Sequence, residues 1–472
     1  MKVLLTTPPQ PMSAILPNRY QAFSGMLKAL GGQKPILGLQ PPYGLMYLAS
    51  YLQQAGHQAW IVDGLRASQP EILDRIAREA VDIVGISSVT WNWGEAMHLA
   101  RLIRQQFPHI RLAVGGAHVN AVRAKALQEG LDFDYAFYGD AEESFCRLVS
   151  ALAAGEPPPA MDGFAWRSAT GILASDQDAI LRDIDKMLLP DREQLGFDAY
   201  RPSPQSYRRL PFAAVFGSRG CPGKCTFCHT DNRTRIRSPA NIVAEIEQLQ
   251  RNYGIREVLF YDDNFTLSRK RVLALCNLIS ERRIDLSWAA SARVDTIDEE
   301  MLRAMKKAGC WRLLLGIETG SQRILDRIKK GITLEQVRKA VTMIRAAGIQ
   351  TYGMFIFGFP TETYAEGLET IAFMKSLPLD FVNVCALTPF PGTEIHQEVV
   401  WEPGFLGSDK MNMYDISYLP ASLRAEELED LLRRSMREFY LRAPYILGQC
   451  RNIKSVSDLA RYVRGSAVIA LR

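Results

Sequence analysis

Short apolar runs alternate with amphipathic segments twice along this chain, at two cadences, and that alternation restricts it to parallel α/β folds. In the first stretch the strand candidates are Lys2–Thr6, Gln58–Val62, Asp82–Ser87, Arg111–Val114 and Tyr135–Tyr138. Helical periodicity falls between them near Leu45–Gln54, Glu71–Glu79, Glu95–Gln106, Ala121–Gln128 and Glu142–Ala154. Repeats at this spacing predict a doubly wound, Rossmann-like (flavodoxin-like) sheet over residues 1–155, with a ligand crevice beyond the carboxyl ends of its strands. The second stretch offers strands at Phe212–Gly217, Glu257–Tyr261, Leu286–Ala292, Arg312–Ile317, Thr351–Phe357 and Phe381–Leu387. With helices between them, these predict an open, partial (β/α)6 barrel over residues 211–395, its functional groups at the strand carboxyl ends. Residues 156–210, with Pro157-Pro158-Pro159 and a Trp166 segment readable as a small hairpin, read as a linker. Residues 396–472 read as loop followed by helices, Ala425–Arg442 the strongest. At 472 residues the chain exceeds what one core supports, so separate domains are expected.

Composition removes several classes of function. A net charge of +5 on a chain this long gives no electrostatic footprint for nucleic acid or an anionic membrane. No run of eighteen apolar residues occurs, so no membrane span is expected, and Pro8 and Pro9 break the short apolar start before it could serve as a signal peptide. Cys146, Cys276, Cys310, Cys385 and Cys450 are scattered in apolar contexts and read as small buried hydrophobes rather than disulfides. A reducing cytoplasm is the expected compartment.

The remaining cysteines are different. Cys221, Cys225 and Cys228 fall within eight residues, in Ser218-Arg-Gly-Cys-Pro-Gly-Lys-Cys-Thr-Phe-Cys-His229, directly after an apolar strand. Three thiolates on a four-iron cluster leave one iron without a protein ligand, an open site for a small molecule. Structural zinc takes four ligands, usually with a second cysteine pair some way off, and no second pair follows.

This loop resembles the Cys-x3-Cys-x2-Cys loop of radical S-adenosylmethionine enzymes. The resemblance implies that Cys221, Cys225 and Cys228 hold a [4Fe-4S] cluster whose free iron binds the amino and carboxylate groups of S-adenosylmethionine. It also implies that an electron from the cluster cleaves the sulfonium to methionine and a 5′-deoxyadenosyl radical. Phe227 fits the same pattern. At the later strand ends the resemblance points to Asp262 and Asn264, in Tyr261-Asp262-Asp263-Asn264, as groups near the methionine amine. It points to Ser291 and to Arg293, whose fork suits a carboxylate, to Glu318 as the residue that meets the ribose hydroxyls, and to Gly358 on the adenine-contact strand. Buried carboxylates are costly alone, so Glu318 on an apolar strand is expected to have a dedicated partner.

The first domain is similar to the cobalamin-binding domain that precedes the barrel in one subgroup of that family. The similarity rests on Pro41-Pro42-Tyr-Gly44, Val84-Gly85-Ile-Ser87-Ser88, Val114-Gly115-Gly116-Ala-His118 and Tyr138-Gly139-Asp140-Ala-Glu142. It implies cobalamin contacts at Ser87, Ser88, Thr90, Trp91, Gly115, Gly116, His118, Gly139 and Glu142. The Asp-x-His-x-x-Gly signature of histidine-ligated cobalamin proteins is absent. Trp91 and Trp93 either cover the lower face of the cobalt or serve as core aromatics. His118 is either a ligand or a residue of a strand-to-helix turn.

The resemblance therefore implies a cobalamin-dependent radical enzyme, most often a methyltransferase acting on an unactivated carbon of a small or lipid-like molecule through the 5′-deoxyadenosyl radical and methylcobalamin. Two other readings stay open: cyclisation, rearrangement or oxidation without net methylation, and a non-enzymatic cobalamin sensor. The implied partners are a small-molecule substrate and an electron donor such as flavodoxin or ferredoxin. Residues Pro8–Pro42 and the tail, with Tyr20, Phe23, Trp401, Phe405, Tyr414 and Tyr418, are expected to shape the substrate site.

Overall fold

The computed structural model describes residues 1–10, 40–196, 200, 202, 206–407, 410–412 and 415–450. Its first sheet is built from β1 (Lys2–Thr6), β2 (Gln58–Val62), β3 (Ile83–Ser87), β4 (Arg111–Gly115) and β5 (Tyr135–Phe137), in the order β2-β1-β3-β4-β5 and all parallel. Helices α1 (Tyr43–Gln54), α2 (Gln69–Glu79), α3 (Trp93–Gln106), α4 (Ala117–Val122), α5 (Lys125–Glu129) and α6 (Ala141–Ala153) connect them. Strands buried on both faces read as apolar runs, which is why Leu4, Val84, Ile86 and Leu112 join one core while Val3, Leu5, Ile83 and Ala113 join the other. The strand order reverses between β1 and β3, and a crevice opens there beyond the carboxyl ends.

The expected linker is in part structure. A hairpin, β6 (Phe164–Ser168) and β7 (Gly171–Ala174), continues the same sheet antiparallel from β5, so the sheet runs past residue 155. Short strands after three prolines gave little periodic signal beyond Trp166.

The second sheet has the order β15-β14-β13-β12-β11-β8, every pair parallel. Its strands are β8 (Phe212–Val215), β11 (Glu257–Phe260), β12 (Ser287–Ala292), β13 (Cys310–Glu318), β14 (Gln350–Phe357) and β15 (Phe381–Ala386). The crossovers are α7 (Pro239–Tyr253), α8 (Arg269–Glu281), α9 (Glu299–Lys307), α10 (Gln322–Arg327) with α11 (Leu334–Ala346), and α12 (Tyr364–Ser376). Polar side chains start these helices where the sequence supplies them: Ser238, Ser268, Asp298, Ser321, Thr333 and Thr363 each accept a backbone N–H of the first turn. On β14 and β15 half-buried and buried residues alternate strictly. The buried face packs on the helices, and the other, with Met354, Ile356, Asn383 and Cys385, lines an open lumen together with Ser291, Leu314 and Gly316.

An open sheet leaves two edges, and both are sealed by tyrosine hydroxyls. On β15, Val382 N–H donates to Tyr440 Oη at 2.9 Å, and that hydroxyl donates to Val382 C=O at 2.7 Å. Tyr440 ends α14 (Ala425–Tyr440), after the short α13 (Glu394–Val399) and before α15 (Ala443–Cys450). The apolar stripe Leu428, Leu431, Met436 and Phe439 of α14 is part of the barrel core, so this helix closes the barrel rather than facing a lipid surface. On β8, Ala214 N–H donates to Tyr43 Oη of α1 at 3.2 Å, and Arg192 donates to Ala214 C=O at 3.0 Å. Arg192 is itself held in a buried triad with Glu245 and Arg237. The first domain therefore completes the barrel's other edge. No helix among the described residues is long and apolar enough to cross a membrane.

Candidate functional site

The loop that carries the three thiols is tied off at its base by β9 (Ser218–Arg219) pairing antiparallel with β10 (Arg235–Ile236). Inside it, Cys221 N–H donates to Asp231 C=O at 2.8 Å and Cys228 N–H to Cys225 C=O at 3.1 Å. Thr226 anchors the far side, donating to Ile328 C=O and accepting from Ile395 N–H. All three cysteines are free. Gly223 sits between the first two: a Cβ placed there would lie 3.4 Å from Cys221 Sγ and 3.9 Å from Cys225 Sγ. Cys228 lies outermost, yet its sulfur is hemmed in by neighbouring atoms, and burial together with the negative charges of Cys225, Asp263 and Cys221 pushes its thiol up to about 12. No three His, Cys, Asp or Glu side chains among the described residues gather tightly enough to chelate a single metal ion. Three soft donors on one short loop, two of them beside a glycine that adds no side chain, suit a cluster, where each iron takes its own thiolate.

The strand ends around this loop do not all behave as the sequence led us to expect. Asp262, expected at S-adenosylmethionine, is fully buried and already committed: it accepts Gly217 N–H and Ser218 Oγ–H, each at 2.7 Å, and Arg271 Nη2 at 2.9 Å. It clamps the chain entering the thiol loop and has no face toward a ligand. Its neighbour Asp263 is the exposed carboxylate, 3.0 Å from Thr230 Oγ1 and close enough to Cys228 to act on its thiol. Consecutive acids after a strand point to opposite sides, and sequence alone does not say which faces the lumen. Asn264 keeps its Nδ2 buried without a partner, while its Oδ1 accepts from Thr266. Thr266 Oγ1 lies 2.6 Å from Thr296 Oγ1, which in turn lies 3.0 Å from Arg293 C=O, so the ends of β11 and β12 are strung together. Arg293 spends Nε and Nη2 on Asp295, and Nη2 also reaches Lys330 C=O; Nη1 lies 3.9 Å from Cys225 Sγ. Ser291 is half-buried on the lumen face. Phe227 packs edge-on against Phe359, ring centres 5.7 Å apart.

Glu318 has the dedicated partner its burial requires. Lys330 Nζ lies 2.6 Å from its Oε1, with both side chains under a tenth exposed. Gly316 makes the room: a Cβ there would meet Glu318 Oε1 at 2.5 Å and Lys330 Nζ at 2.8 Å. Nothing in Lys329-Lys330-Gly331 marks one lysine as buried, so sequence reasoning missed Lys330. Gly358 turns its Cβ position toward Leu428, not toward open space, and its N–H donates to Glu362 at 2.6 Å. Glu362 is fully buried with Oε1 unpartnered, and burial pushes its carboxyl up to about 7.

In the first domain a cavity of about 250 Å³ lies at the strand ends, walled by Ser87, Gly115, Gly116, Gly139 and Glu142 among others. Ser88, Thr90, Trp91 and His118, also expected at the corrinoid, are not among the residues that line this cavity. Ser88 is buried and donates to Asn92; Thr90 and His118 contact each other at 3.3 Å. His118 stacks on Trp93 at 4.6 Å, its Nε2 lies 3.6 Å from Glu129, and Trp93 stacks in turn on Phe133, so both rings belong to the core. Trp93 shares the buried face of α3 with Ala96, Ala100 and Ile103 at helical spacing, and the helix begins two residues before the expected Glu95. Trp91 is half-buried on the preceding turn. No histidine lines the cavity. Glu142 does: its Oε1 pairs with Arg219, and its Oε2 is buried without a partner, an acceptor waiting for an N–H donor such as the amide side chains of a corrinoid. Arg219, from the barrel, also pairs with Asp140 at 2.7 Å and forms part of the cavity wall. Among the expected substrate-site aromatics, Tyr20, Phe23 and Tyr414 lie outside the described residues. Trp401 is 88 % exposed, Phe405 packs on His396, and Tyr418 is buried in the barrel core.

The radical SAM superfamily model matches residues 215–374, and the B12 binding domain model matches residues 35–149. The chain is 32% identical over 415 residues to an uncharacterized methyltransferase of Pyrococcus horikoshii, covering 86% of this chain and 89% of that one. It is 27% identical to the anaerobic magnesium-protoporphyrin IX monomethyl ester cyclase of Rubrivivax gelatinosus, over 88% of this chain and 76% of that one. In fold it is similar to the radical S-adenosylmethionine methyltransferase TsrM from Kitasatospora setae, solved with cobalamin and a [4Fe-4S] cluster bound. That likeness has a TM-score of 0.70 at 18% identity, covering 93% of this chain and 89% of that one.

Proposed function

Since this chain belongs to the radical S-adenosylmethionine superfamily and carries a B12 binding domain, we propose that it transfers a methyl group to an unactivated carbon of a small or lipid-like molecule. One observation carries the reading: Arg219, two residues ahead of Cys221, reaches Asp140 and Glu142, so the thiol loop and the crevice of the first domain share a wall. Cys221, Cys225 and Cys228 would hold a [4Fe-4S] cluster, which with S-adenosylmethionine and cobalamin supplies a 5′-deoxyadenosyl radical and a transferable methyl group. The chain's own groups position and shield that chemistry. Arg293 Nη1 and the unpartnered Asn264 Nδ2 are the donors for a methionine carboxylate, Asp263 is an acceptor for its amine, and Glu318 accepts from ribose hydroxyls. Leu314, Met354 and Ile356 give the lumen an apolar lining that excludes water from the path between radical and substrate, while Ser291 and Asn383 offer polar contacts. Ser87, Gly115, Gly116, Gly139 and Glu142 would hold the corrinoid, in a cavity whose lining residues include no histidine. A reduced flavodoxin or ferredoxin in the cytoplasm would supply the electron.

The Rubrivivax relative favours a second reading on the same cofactors, ring closure without net methylation. Protein reconstituted anaerobically with iron, sulfide and hydroxocobalamin, then given S-adenosylmethionine with a deuterated methyl group and a reductant, separates the readings. Methyl transfer predicts 5′-deoxyadenosine and deuterium on the retained corrinoid. 5′-Deoxyadenosine with unlabelled corrinoid supports the cyclase reading, and failure to retain corrinoid refutes both.

A further inference from the structure

A lysine ammonium carries three N–H donors, and Lys330 uses one. Glu318 Oε1 is the single acceptor recorded for Nζ among the described residues, at 2.6 Å, in a pocket where both side chains are under a tenth exposed. Burying this pair carries a desolvation cost that the attraction of the two charges barely offsets. The backbone around it is also held at a cost: Glu318 sits at φ +70° in a β-bulge of β13, and Lys329, just before the lysine, sits at φ +52°. Gly331, at φ +69°, turns the chain again immediately after it. Arg293 pins the Lys330 carbonyl from the end of β12, and Gly316 gives up a side chain so that the pair can close. The ammonium stands 5.9 Å from the Phe227 ring, inside the thiol loop's footprint. A salt bridge that merely fastened the 328–332 loop would not need the interior of the barrel mouth; Lys329, its neighbour, makes such a fastening outside, with Glu394.

We propose that Lys330 is itself a ligand-binding residue, forming with Glu318 an acceptor–donor clamp for a vicinal diol, that of the ribose of S-adenosylmethionine. The assignment rests on the reading of the barrel mouth given above. A carboxylate only accepts, and an ammonium only donates. Each hydroxyl of a diol does both, so a clamp of this kind meets one hydroxyl as donor at Glu318 and the other as acceptor at Lys330. It also explains why the lysine faces inward with donors to spare.

The test uses binding and not turnover. Cluster-reconstituted protein with the cluster oxidised is titrated calorimetrically with S-adenosylmethionine and with its 2′-deoxy and 3′-deoxy counterparts. Wild type is expected to bind the parent roughly tenfold to a hundredfold more tightly than each deoxy compound, the range for a hydrogen bond to a charged group. Lys330→Met is expected to lose discrimination against one hydroxyl, and Glu318→Gln against the other. Lys330→Met/Glu318→Gln, which leaves no buried charge unpaired, guards against misfolding and is expected to lose both, with the cluster's visible absorption unchanged. If Lys330→Met discriminates as wild type does, or loses preference for the same hydroxyl as Glu318→Gln, Lys330 does not touch the diol and the proposal falls while the site stands. If wild type binds no S-adenosylmethionine, the reading of the barrel mouth falls with it.

Discussion

Replacing Asp262 with asparagine separates a structural clamp from a ligand contact. The carboxylate is fully buried, its partner Arg271 nearly so, and the two together hold both the N–H and the C=O of Gly217 as the chain enters the thiol loop. An asparagine there could still accept from Gly217, but its amide would turn an N–H toward Ser218 or Arg271, leaving the guanidinium buried without a counter-charge. Breaking a buried pair from one side costs about 3–5 kcal/mol, against about 1 kcal/mol for a neutral hydrogen bond. The exposed pair Arg303–Glu299, with side chains 68% and 72% exposed, gives the control, because Glu299→Gln should cost less than about 1 kcal/mol. Guanidinium unfolding of the cluster-free protein reads the difference. A large loss of stability for Asp262→Asn, beside a near-silent Glu299→Gln, is the expected pattern. Unfolding within about 1 kcal/mol of wild type, combined with a tenfold loss of S-adenosylmethionine affinity, would make Asp262 a ligand contact and refute the reasoning.

Three further outcomes are expected. Burial raises the Glu362 carboxyl to about 7 in the folded chain, so the protein holds a proton there that the unfolded chain has released, and stability falls as pH rises from about 4.5 to about 7. Over that window the loss is about 3 kcal/mol, and Glu362→Gln, measured by denaturant titration of cluster-free protein at pH 5 and pH 8, should abolish it; an unchanged pH profile would contradict the assignment. Tyr440→Phe strips the N–H and C=O of Val382 of their partner and should cost about 2 kcal/mol in unfolding experiments, with soluble aggregates increasing as the β15 edge opens. His118→Ala should cost about 2 kcal/mol through lost stacking on Trp93, yet leave the absorption and electron-spin spectra of bound corrinoid unaltered; a spectral change would return His118 to the cobalt.

The fold was legible where periodicity is strong. Strands buried on both faces had to be apolar runs, and their alternation with amphipathic segments set the order of the elements in both sheets. Less could be read wherever partners come from far along the chain. The pairing of Tyr43 with β8, or of Tyr440 with β15, joins residues with no local pattern in common. The three thiols announced themselves by spacing, but the division of labour between Asp262 and Asp263 depends on how the chain curls after β11. Lys330 lies twelve residues from Glu318 in a loop of ordinary charge, and only the bulge at Gly316 brings them together. For His118 and Trp93 the sequence left two readings each, and the stacking of His118 on Trp93 and of Trp93 on Phe133 is what places both rings in the core.

The central claim is that Cys221, Cys225 and Cys228 hold a cluster that cleaves S-adenosylmethionine. Its most direct test is the 5′-deoxyadenosine formed by anaerobically reconstituted, dithionite-reduced protein, compared with Cys225→Ala treated identically. Production by wild type and its loss in Cys225→Ala is the predicted result; no production by wild type, or equal production by both, would contradict it.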